Sequence, residues 1–270
     1  MPLRLRRIAG PEAYREWAPH PALAARVVCA WRDPPRRRDR RVLPDACIDL
    51  VWDGQTLGVA GPDTRAVPID DQREYVGVRF RPGAAPGFLG AGSDALLDAH
   101  VSLFDLWGAA ARDLAGRISE QPDRAVTLLE HALLERLPAA AEPDPLVDAL
   151  LQELAGAPLR DDALVVEDAF FGEGDEALGQ RLAASLGVSQ RTLRRRCTAA
   201  IGYGPKTLER VLRFRRALRL LRNRQPLAEA ARAAGYADQS HLTNESQRLS
   251  GLTPAALATT PLPLSANGCD

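Results

Sequence analysis

The strongest constraint on the fold of this 270-residue chain is a pattern that occurs twice between residues 176 and 258. Each copy has a short stretch with helical apolar spacing that ends at a glycine, followed by a turn and a residue suited to cap a second helix. Gly187 and Ser189 have these roles in the first copy, and Gly235 and Asp238 have them in the second. Two helices joined by a tight turn form a helix-turn-helix unit, so the sequence predicts two such units.

In the second helix of the first unit, apolar side chains recur every four residues, at Leu193, Cys197 and Ile201. We expect these side chains to face the core. The opposite face is then basic and consists of Arg191, Arg194 and Arg195. Guanidinium groups on an exposed helix face suit contacts with phosphates and base edges in a major groove.

The equivalent helix of the second unit carries amide and hydroxyl groups on its exposed N-terminal face. These residues are Gln239, Ser240, Thr243 and Asn244. The segment between the units, "PKTLERVLRFRRALRLLRN", predicts one long helix of roughly 30 Å, close to the ~34 Å repeat of B-DNA. One chain is therefore expected to place two recognition helices in successive major-groove segments of an asymmetric target.

Charge is distributed unevenly along a chain whose 35 basic and 35 acidic residues give a formal charge of zero. Residues 176–258 hold 15 basic and 5 acidic side chains, whereas residues 82–175 hold 5 basic and 18 acidic ones. A net charge of +10 in about eighty residues is typical of a nucleic-acid-binding module. A solvated, arginine-rich helix face is the alternative interpretation.

The N-terminal half has a different pattern. Short stretches rich in β-branched and aromatic residues, at 26–31, 47–52, 56–61 and 75–80, are separated by Pro and Gly turns and predict a small sheet or barrel. From about residue 91 the apolar spacing becomes helical. The helical stretches are 95–107, 110–118 and 125–137.

Three prolines within residues 138–146 indicate a linker between two domains. We expect an α+β protein with an N-terminal β-rich sensing or oligomerisation domain at 1–138 and a linker at 139–143. A helical DNA-binding domain would follow at 144–258, opened by Asp144 as helix cap and Pro145 as first helical residue. Residues 259–270 are expected to form a flexible tail, and the acidic segment at 160–176 has no predicted role.

Several function classes lack support in the sequence. The four cysteines lie far apart, which disfavours a disulfide framework or zinc site and suits a reducing cytoplasm. There is no metal-binding histidine spacing, no phosphate-cradling glycine motif and no catalytic triad. No apolar run approaches the ~18 residues that would cross a bilayer. We therefore expect a cytoplasmic protein that is not an enzyme and has no metal or cofactor.

The predicted sheet contains candidates for an effector site. Trp52, Tyr75 and Arg79 combine two aromatic rings with a cation, a composition suited to an organic acid or similar small molecule. Ordinary core and rim positions are the alternative interpretation of the same residues. Asp45 and Asp49 lie four positions apart, and structural hydrogen bonding is favoured over catalysis for them.

Residues 177–257 resemble the DNA-binding domain of the AraC/XylS family of bacterial transcription regulators. The resemblance is carried by "LAASLGVSQRTLRRRC", by "IGYGPKTLERVLRFRRALRLL", by "PLAEAARAAGYADQSHL" and by the closing "LSGLTPAAL". The front half, with "RVLPDACIDLVWDG", "GVRFRPGAA" and "DLWG", is similar to an uncharacterised N-terminal domain found in one branch of that family. By analogy that domain senses a ligand, mediates oligomerisation, or does both.

The resemblance implies which residues contact DNA. The implied residues are Arg191, Arg194, Arg195, Gln239, Ser240, Thr243 and Asn244. Ser189, Gln190 and Lys206 are further candidates for DNA contact. The chain departs from the family pattern at Asn244, where an arginine is usual, and at Cys197 and Ser246, where aromatic residues are usual. These departures predict that the first unit supplies more of the affinity and that the second is less rigid.

The leading hypothesis is a sequence-specific regulator that binds double-stranded DNA and either activates or represses transcription. A small-molecule effector, RNA polymerase and a second copy of the chain are open as further partners, and no membrane is expected. One alternative is an enzyme-like N-terminal domain tethered to DNA. Another is a degenerate family member that acts mainly through protein contacts.

Overall fold

A computed structural model describes residues 5–6, 14–35, 40–70, 72–156 and 174–259. For residues 5–6 and 174–176 it describes the backbone alone. Most of the acidic segment, at 157–173, and the predicted tail from residue 260 onward lie outside these ranges.

The N-terminal half is built on an antiparallel sheet of seven strands in the order β1-β2-β3-β8-β5-β6-β9. Strands β4 and β7 form a separate two-stranded sheet. The bounds are β1 Leu5–Arg6, β2 Arg15–Trp17, β3 Val27–Asp33, β4 Arg40–Val42, β5 Asp49–Trp52, β6 Leu57–Ala60, β7 Val67–Ile69, β8 Tyr75–Phe80 and β9 His100–Ser102. All four predicted strands are present, and the other five are too short to have shown a pattern of their own.

One face of the sheet carries the main apolar core. Because side chains alternate along a strand, Val76, Val78 and Phe80 of β8 lie on the same face as Leu50 and Trp52 of the neighbouring β5. These side chains are buried in one cluster with the apolar residues of the helices that follow. The helices are α1 Ala85–Leu89, α2 Leu103–Trp107, α3 Ala109–Glu120 and α4 Ala125–Arg136.

The single helix expected across residues 95–107 is wrong. A 3-10 turn at Ser93–Leu96 is followed by strand β9, which pairs with β6, and only then by the short helix α2. Asp98, with φ of 52°, adopts a left-handed conformation that a continuing helix excludes. Ser102 then begins α2, and its hydroxyl accepts a hydrogen bond from the backbone N–H of Phe104.

The C-terminal half is helical. Its helices are α5 Pro145–Gly156, α6 Gly174–Ser185, α7 Gln190–Ile201, α8 Pro205–Arg222, α9 Leu227–Ala234, α10 Gln239–Ser250 and α11 Pro254–Thr259. Helices α6 and α7 form the first helix-turn-helix unit, α9 and α10 form the second, and α8 joins them. As the sequence predicts, the chain combines a β-rich N-terminal part with a helical C-terminal part.

The segment predicted as a linker is extended between the two halves and packs on the first. The Arg26 guanidinium donates to the Ala141 carbonyl at 2.8 Å and pairs with Glu142 at 2.5 Å. Gly87 of α1 lies so close to Ala141 that a methyl group there would collide with the Ala141 carbonyl. This path brings Asp144 to the start of α5, where its carboxylate accepts a hydrogen bond from the N–H of Leu146 at 2.9 Å.

Candidate nucleic-acid interface

The two predicted recognition helices, α7 and α10, have the same design. Each has twelve residues, and a constant offset of 49 positions relates them from the caps Ser189 and Asp238 onward. Ser189 Oγ accepts a hydrogen bond from the N–H of Thr192 at 3.1 Å, and the Asp238 carboxylate accepts one from the N–H of His241 at 2.8 Å. Both helices end at a left-handed glycine.

Helix α7 buries one face and exposes a basic one. Leu193, Cys197 and Ile201 are at most 1% exposed, because they form the apolar stripe that packs on α5, α6 and α8. The exposed residues on the other side are Arg191, Arg194 and Arg195. Among the described residues these three guanidinium groups form no ion pair, so their charge is directed to solvent.

The fourth arginine of the run has a different role. Arg196 makes a two-pronged ion pair with Asp144, with its Nε 2.6 Å from Oδ2. Burial acts against ionisation of the carboxyl, but hydrogen bonds from Arg196 and the backbone hold the pKa of Asp144 below its usual value. Arg196 therefore fastens the recognition helix to the start of α5.

The N-terminal half of helix α10 exposes polar side chains without a positive charge, and the exposed Arg248 lies in its C-terminal half. Gln239, Ser240 and Asn244 are exposed, and the half-exposed Thr243 donates from its hydroxyl to the Gln239 carbonyl at 2.8 Å. The His241 ring packs edge-on against Tyr236, with ring centroids 5.2 Å apart. Burial and the nearby Arg213 lower the pKa of His241, which fits a packing role.

The arginines of the linker helix α8 are largely used inside the molecule. Arg210 pairs with the buried Glu245 of α10 at 3.1 Å, and Arg213 lies over the Tyr236 ring at 4.8 Å. Arg216 donates to the Leu154 carbonyl at 3.2 Å. The charge surplus of this segment therefore overstates the charge that faces a duplex, since several guanidinium groups join helices to one another.

The three effector-site candidates do not come together. In β5 and β8, Trp52 pairs with Val76, so its side chain lies on the apolar core face, whereas Tyr75 and Arg79 lie on the other face. Arg79 is buried and bonded to Asp49, with 2.9 Å between Nη2 and Oδ2. Burial opposes its charge, but Asp49 and Asp45 raise the pKa of Arg79 above its ordinary value. Because side chains alternate between the two faces of a strand, Trp52 lies on the opposite face of the sheet from Tyr75 and Arg79.

Sequence reasoning missed the partners that hold the recognition helices in place. Asp144 lies 52 positions before Arg196, so no local pattern connects them. The same holds for Ser93, whose hydroxyl donates to the Ala200 carbonyl across 107 positions, and for Arg41, which reaches Ser250 across 209. The only available signal was the suitability of Asp144 as a helix cap.

Within the described residues, no group of three or more His, Cys, Asp or Glu side chains is arranged to hold a metal ion. No helix in the described ranges is both long and apolar enough to span a membrane.

Two helix-turn-helix units, each with a solvent-facing recognition helix, define a DNA-binding protein. Residues 182–260 match a family model described as a helix-turn-helix domain, and residues 15–102 match one described as a domain of unknown function, DUF6597. The C-terminal part of the chain therefore carries a helix-turn-helix domain of the AraC type.

The chain as a whole is similar to solved structures of one bacterial protein. A structure of ToxT from Vibrio cholerae is similar with a TM-score of 0.42 and 7% identity, over 86% of this chain and 98% of that one. The apo form of a ToxT variant from Vibrio cholerae strain SCE256 has a TM-score of 0.41 and 10% identity, over 81% and 87%. No curated protein sequence matches the chain significantly.

Proposed function

We propose that this transcription regulator reads an asymmetric operator by placing the N-terminal halves of α7 and α10 in successive major-groove segments of one duplex. The DNA-binding domain would be residues 144–258, joined through the linker 139–143 to a regulatory domain at 1–138. That domain would respond to a small molecule or to a second copy of the chain, and would thereby control the activity of RNA polymerase.

The observation that carries this proposal is that each recognition helix is anchored in the core by its C-terminal half and exposes polar side chains in its N-terminal half. The C-terminal halves of α7 and α10 are fixed by buried side chains, among them Cys197, Ile201 and Leu249. The N-terminal halves hold exposed guanidinium, amide and hydroxyl groups, and in the C-terminal half of α10 Gln247 and Arg248 are exposed as well. The free backbone N–H groups and positive dipole of a helix N-terminus also favour phosphate.

Affinity and discrimination would come from different residues. Arg191 and Arg195 would neutralise phosphates and release counterions, so binding should weaken steeply with salt. Arg194 would reach a guanine edge and discriminate between bases. Gln239, Ser240, Thr243 and Asn244 would contact base edges without adding to the salt dependence. Lys206, Ser189 and Gln190 would contact the flanking backbone.

The test begins with selection of duplexes from a random-sequence pool by the full chain, followed by sequencing. Affinities are then measured for wild type and Arg194→Ala on the selected duplex and on its single-base variants. We expect Arg194→Ala to lose base preference at one position, worth about 1–3 kcal/mol. Arg117→Ala, which removes an exposed arginine from α3 in the other half of the molecule, is the matched control.

Two results would argue against this assignment. An equal loss of affinity for every duplex would make Arg194 a phosphate contact rather than a base reader. Failure of the full chain to enrich any sequence at low salt would overturn the proposed function itself, because the exposed basic face would then have no specific partner.

A further inference from the structure

The N-terminal half contacts both recognition helices at the same position. Ala200 and Leu249 are each the eleventh residue of their helix, α7 and α10. Ser93 Oγ donates to the Ala200 carbonyl at 2.7 Å, and the backbone N–H of Ala66 donates to the Leu249 carbonyl at 2.7 Å. The last carbonyls of a helix have no partner within it, so two loops of one domain cap both helices.

The contact with the first unit is tight. Gly202, which ends α7, has φ of 101°, and a methyl group on it would collide with Pro62 and lie 3.0 Å from the Ser93 carbonyl oxygen. Ser93 itself is fully buried. The end of α7 therefore has almost no freedom to shift against the loops that hold Pro62 and Ser93.

The contact with the second unit combines a cation with an apolar cluster. Arg41 of β4 donates from Nη1 to the Ser250 carbonyl at 2.9 Å, and a cation at the C-terminal end of a helix is favourable. Leu43, just after β4, is buried against Phe214, Leu249 and Leu257. The small β4–β7 sheet thus packs against the C-terminal end of α10.

A third contact lies between these two. Asp45 bridges the halves of the molecule, with its Oδ2 3.1 Å from Arg215 of α8 and 3.6 Å from Arg79 of the main sheet. All these side chains are buried or half-buried. The N-terminal domain therefore contacts the linker helix and both recognition helices, and these contacts lie at the C-terminal ends of α7 and α10 rather than at their exposed N-terminal halves.

We infer that the N-terminal domain is a splint that fixes the spacing and rotation of the two recognition helices, with Ser93 and Arg41 as its positioning residues. This inference rests on the proposed function. The second unit needs such support because its own core is formed largely by alanines, at Ala217, Ala231 and Ala234. Two recognition helices held by the N-terminal domain tolerate one spacing between the DNA segments that they contact. Recognition helices joined only through α8 would tolerate several spacings.

The experiment varies the spacing in the duplex selected by the full-length protein. Inserting or deleting one base pair between the two contacted segments shifts one by about 3.4 Å and rotates it by about 35°. We expect wild type to lose at least about tenfold in affinity on such duplexes, comparable to a mismatched base pair. The double variant Ser93→Ala, Arg41→Ala should lose less than about threefold between spacings, because two of the capping contacts are gone.

The matched control is Ser119→Ala, Arg117→Ala. Ser119 also donates its hydroxyl to a helix carbonyl, that of Ala115 at 2.9 Å, and Arg117 is an exposed arginine, but both lie on α3 away from the DNA-binding half. This variant should keep the wild-type spacing preference. Arg41→Lys, which retains a cationic donor, should keep more of the preference than Arg41→Ala.

The readout separates positioning from simple destabilisation. The single variants Ser93→Ala and Arg41→Ala each keep one contact and replace the double variant if it does not fold. Variants that bind more weakly at every spacing with an unchanged preference would overturn the inference, as would a wild type that tolerates all spacings. Failure to select any duplex would instead defeat the proposed function, and the splint with it.

Discussion

The two helix-turn-helix units share a backbone design but differ in what fills it. Around Leu193, the fourth residue of α7, the first unit packs Leu150, Leu182, Leu208 and Val211. Around Leu242, the fourth residue of α10, the second unit packs three alanines and Tyr236. Burial of larger apolar side chains contributes more to stability, so the first unit is the better supported by its own core.

The seventh and eighth residues of α7 and α10 also differ in their contacts. Cys197 of α7 is buried and its thiol contacts the Tyr203 carbonyl at 3.2 Å, whereas Ser246 of α10 is buried with no partner for its hydroxyl among the described residues. Arg196 joins α7 to α5, while Glu245 joins α10 to α8 through Arg210. The N-terminal domain contacts both units; in addition, the first is fixed by α5 and the second by the linker helix.

The exposed faces differ in the same direction. Helix α7 presents three guanidinium groups and α10 presents amides and hydroxyls at the equivalent positions. We therefore expect the first unit to supply more of the affinity and the second to contribute discrimination at little electrostatic gain.

Truncating the equivalent core leucines tests this difference with the largest expected effect. We expect Leu193→Ala to lower the free energy of unfolding by about 4 kcal/mol and Leu242→Ala by about 2 kcal/mol, because a shell of alanines collapses more readily onto the missing volume. Urea unfolding monitored by circular dichroism gives both values. Equal losses would mean that the second unit is packed as rigidly as the first.

Adding a cation to the N-terminal half of α10 should reduce the difference between the two units in their contribution to DNA affinity. Asn244→Arg places a guanidinium group at the position equivalent to Arg195, on an exposed helix face. We expect affinity for the selected duplex to rise about tenfold and the salt dependence to steepen by about one counterion. Asn244→Gln, which extends the side chain without charge, is the control and should leave the salt slope unchanged. An unchanged affinity in Asn244→Arg would place this face away from the phosphates.

Local patterns in the sequence were enough to predict both helix-turn-helix units. Caps, glycine ends and the spacing of Leu193, Cys197 and Ile201 are properties of neighbouring residues, and the structure has them where the sequence predicts them. The four longer strands were predictable for the same reason. Which arginines would face solvent was predicted correctly for Arg191, Arg194 and Arg195, since helical periodicity alone decides it.

What could not be predicted depends on long-range contacts. Residues 95–107 carry a helical spacing, but pairing of β9 with β6 overrides it. The Arg196–Asp144 pair and the Ser93 and Arg41 contacts join residues 52 to 209 positions apart. The count of basic residues could not separate arginines that face solvent from those of α8 that join helices.

The pH dependence of stability tests a contact that supports the first unit. Asp63 follows Pro62, which packs on Gly202, and burial together with the carboxylates of Asp98 and Asp45 raises the pKa of Asp63 to about 7. The unfolded chain ionises near 3.8, so the free energy of unfolding falls as pH rises from about 4 to about 7 and is level above that.

Asp63→Asn removes this ionisation. We expect the variant to equal wild type near pH 4 and to be more stable at pH 8 by at least about 1 kcal/mol, since one pKa unit corresponds to about 1.4 kcal/mol. Asp53→Asn is a control, because the pKa of Asp53 is shifted in the opposite direction. Burial raises this pKa, but hydrogen bonds from Thr56 and Gln55 outweigh burial and lower it. A stability difference for Asp63→Asn that is independent of pH would show that ionisation is not its cause.

The smallest expected effect concerns the side-chain caps at the start of the two recognition helices, a feature that both units share. Ser189→Ala and Asp238→Ala each remove the side-chain acceptor at the start of a recognition helix, and each should cost about 1 kcal/mol in urea unfolding. Asp238→Asn keeps the acceptor and removes the negative charge, so it should retain stability and bind the selected duplex slightly better than wild type. Ser189→Thr keeps both the acceptor and the charge state and should change neither quantity. A much larger loss for Asp238→Ala than for Ser189→Ala would mean that the second unit, with its smaller core, depends on its cap for folding as the first does not.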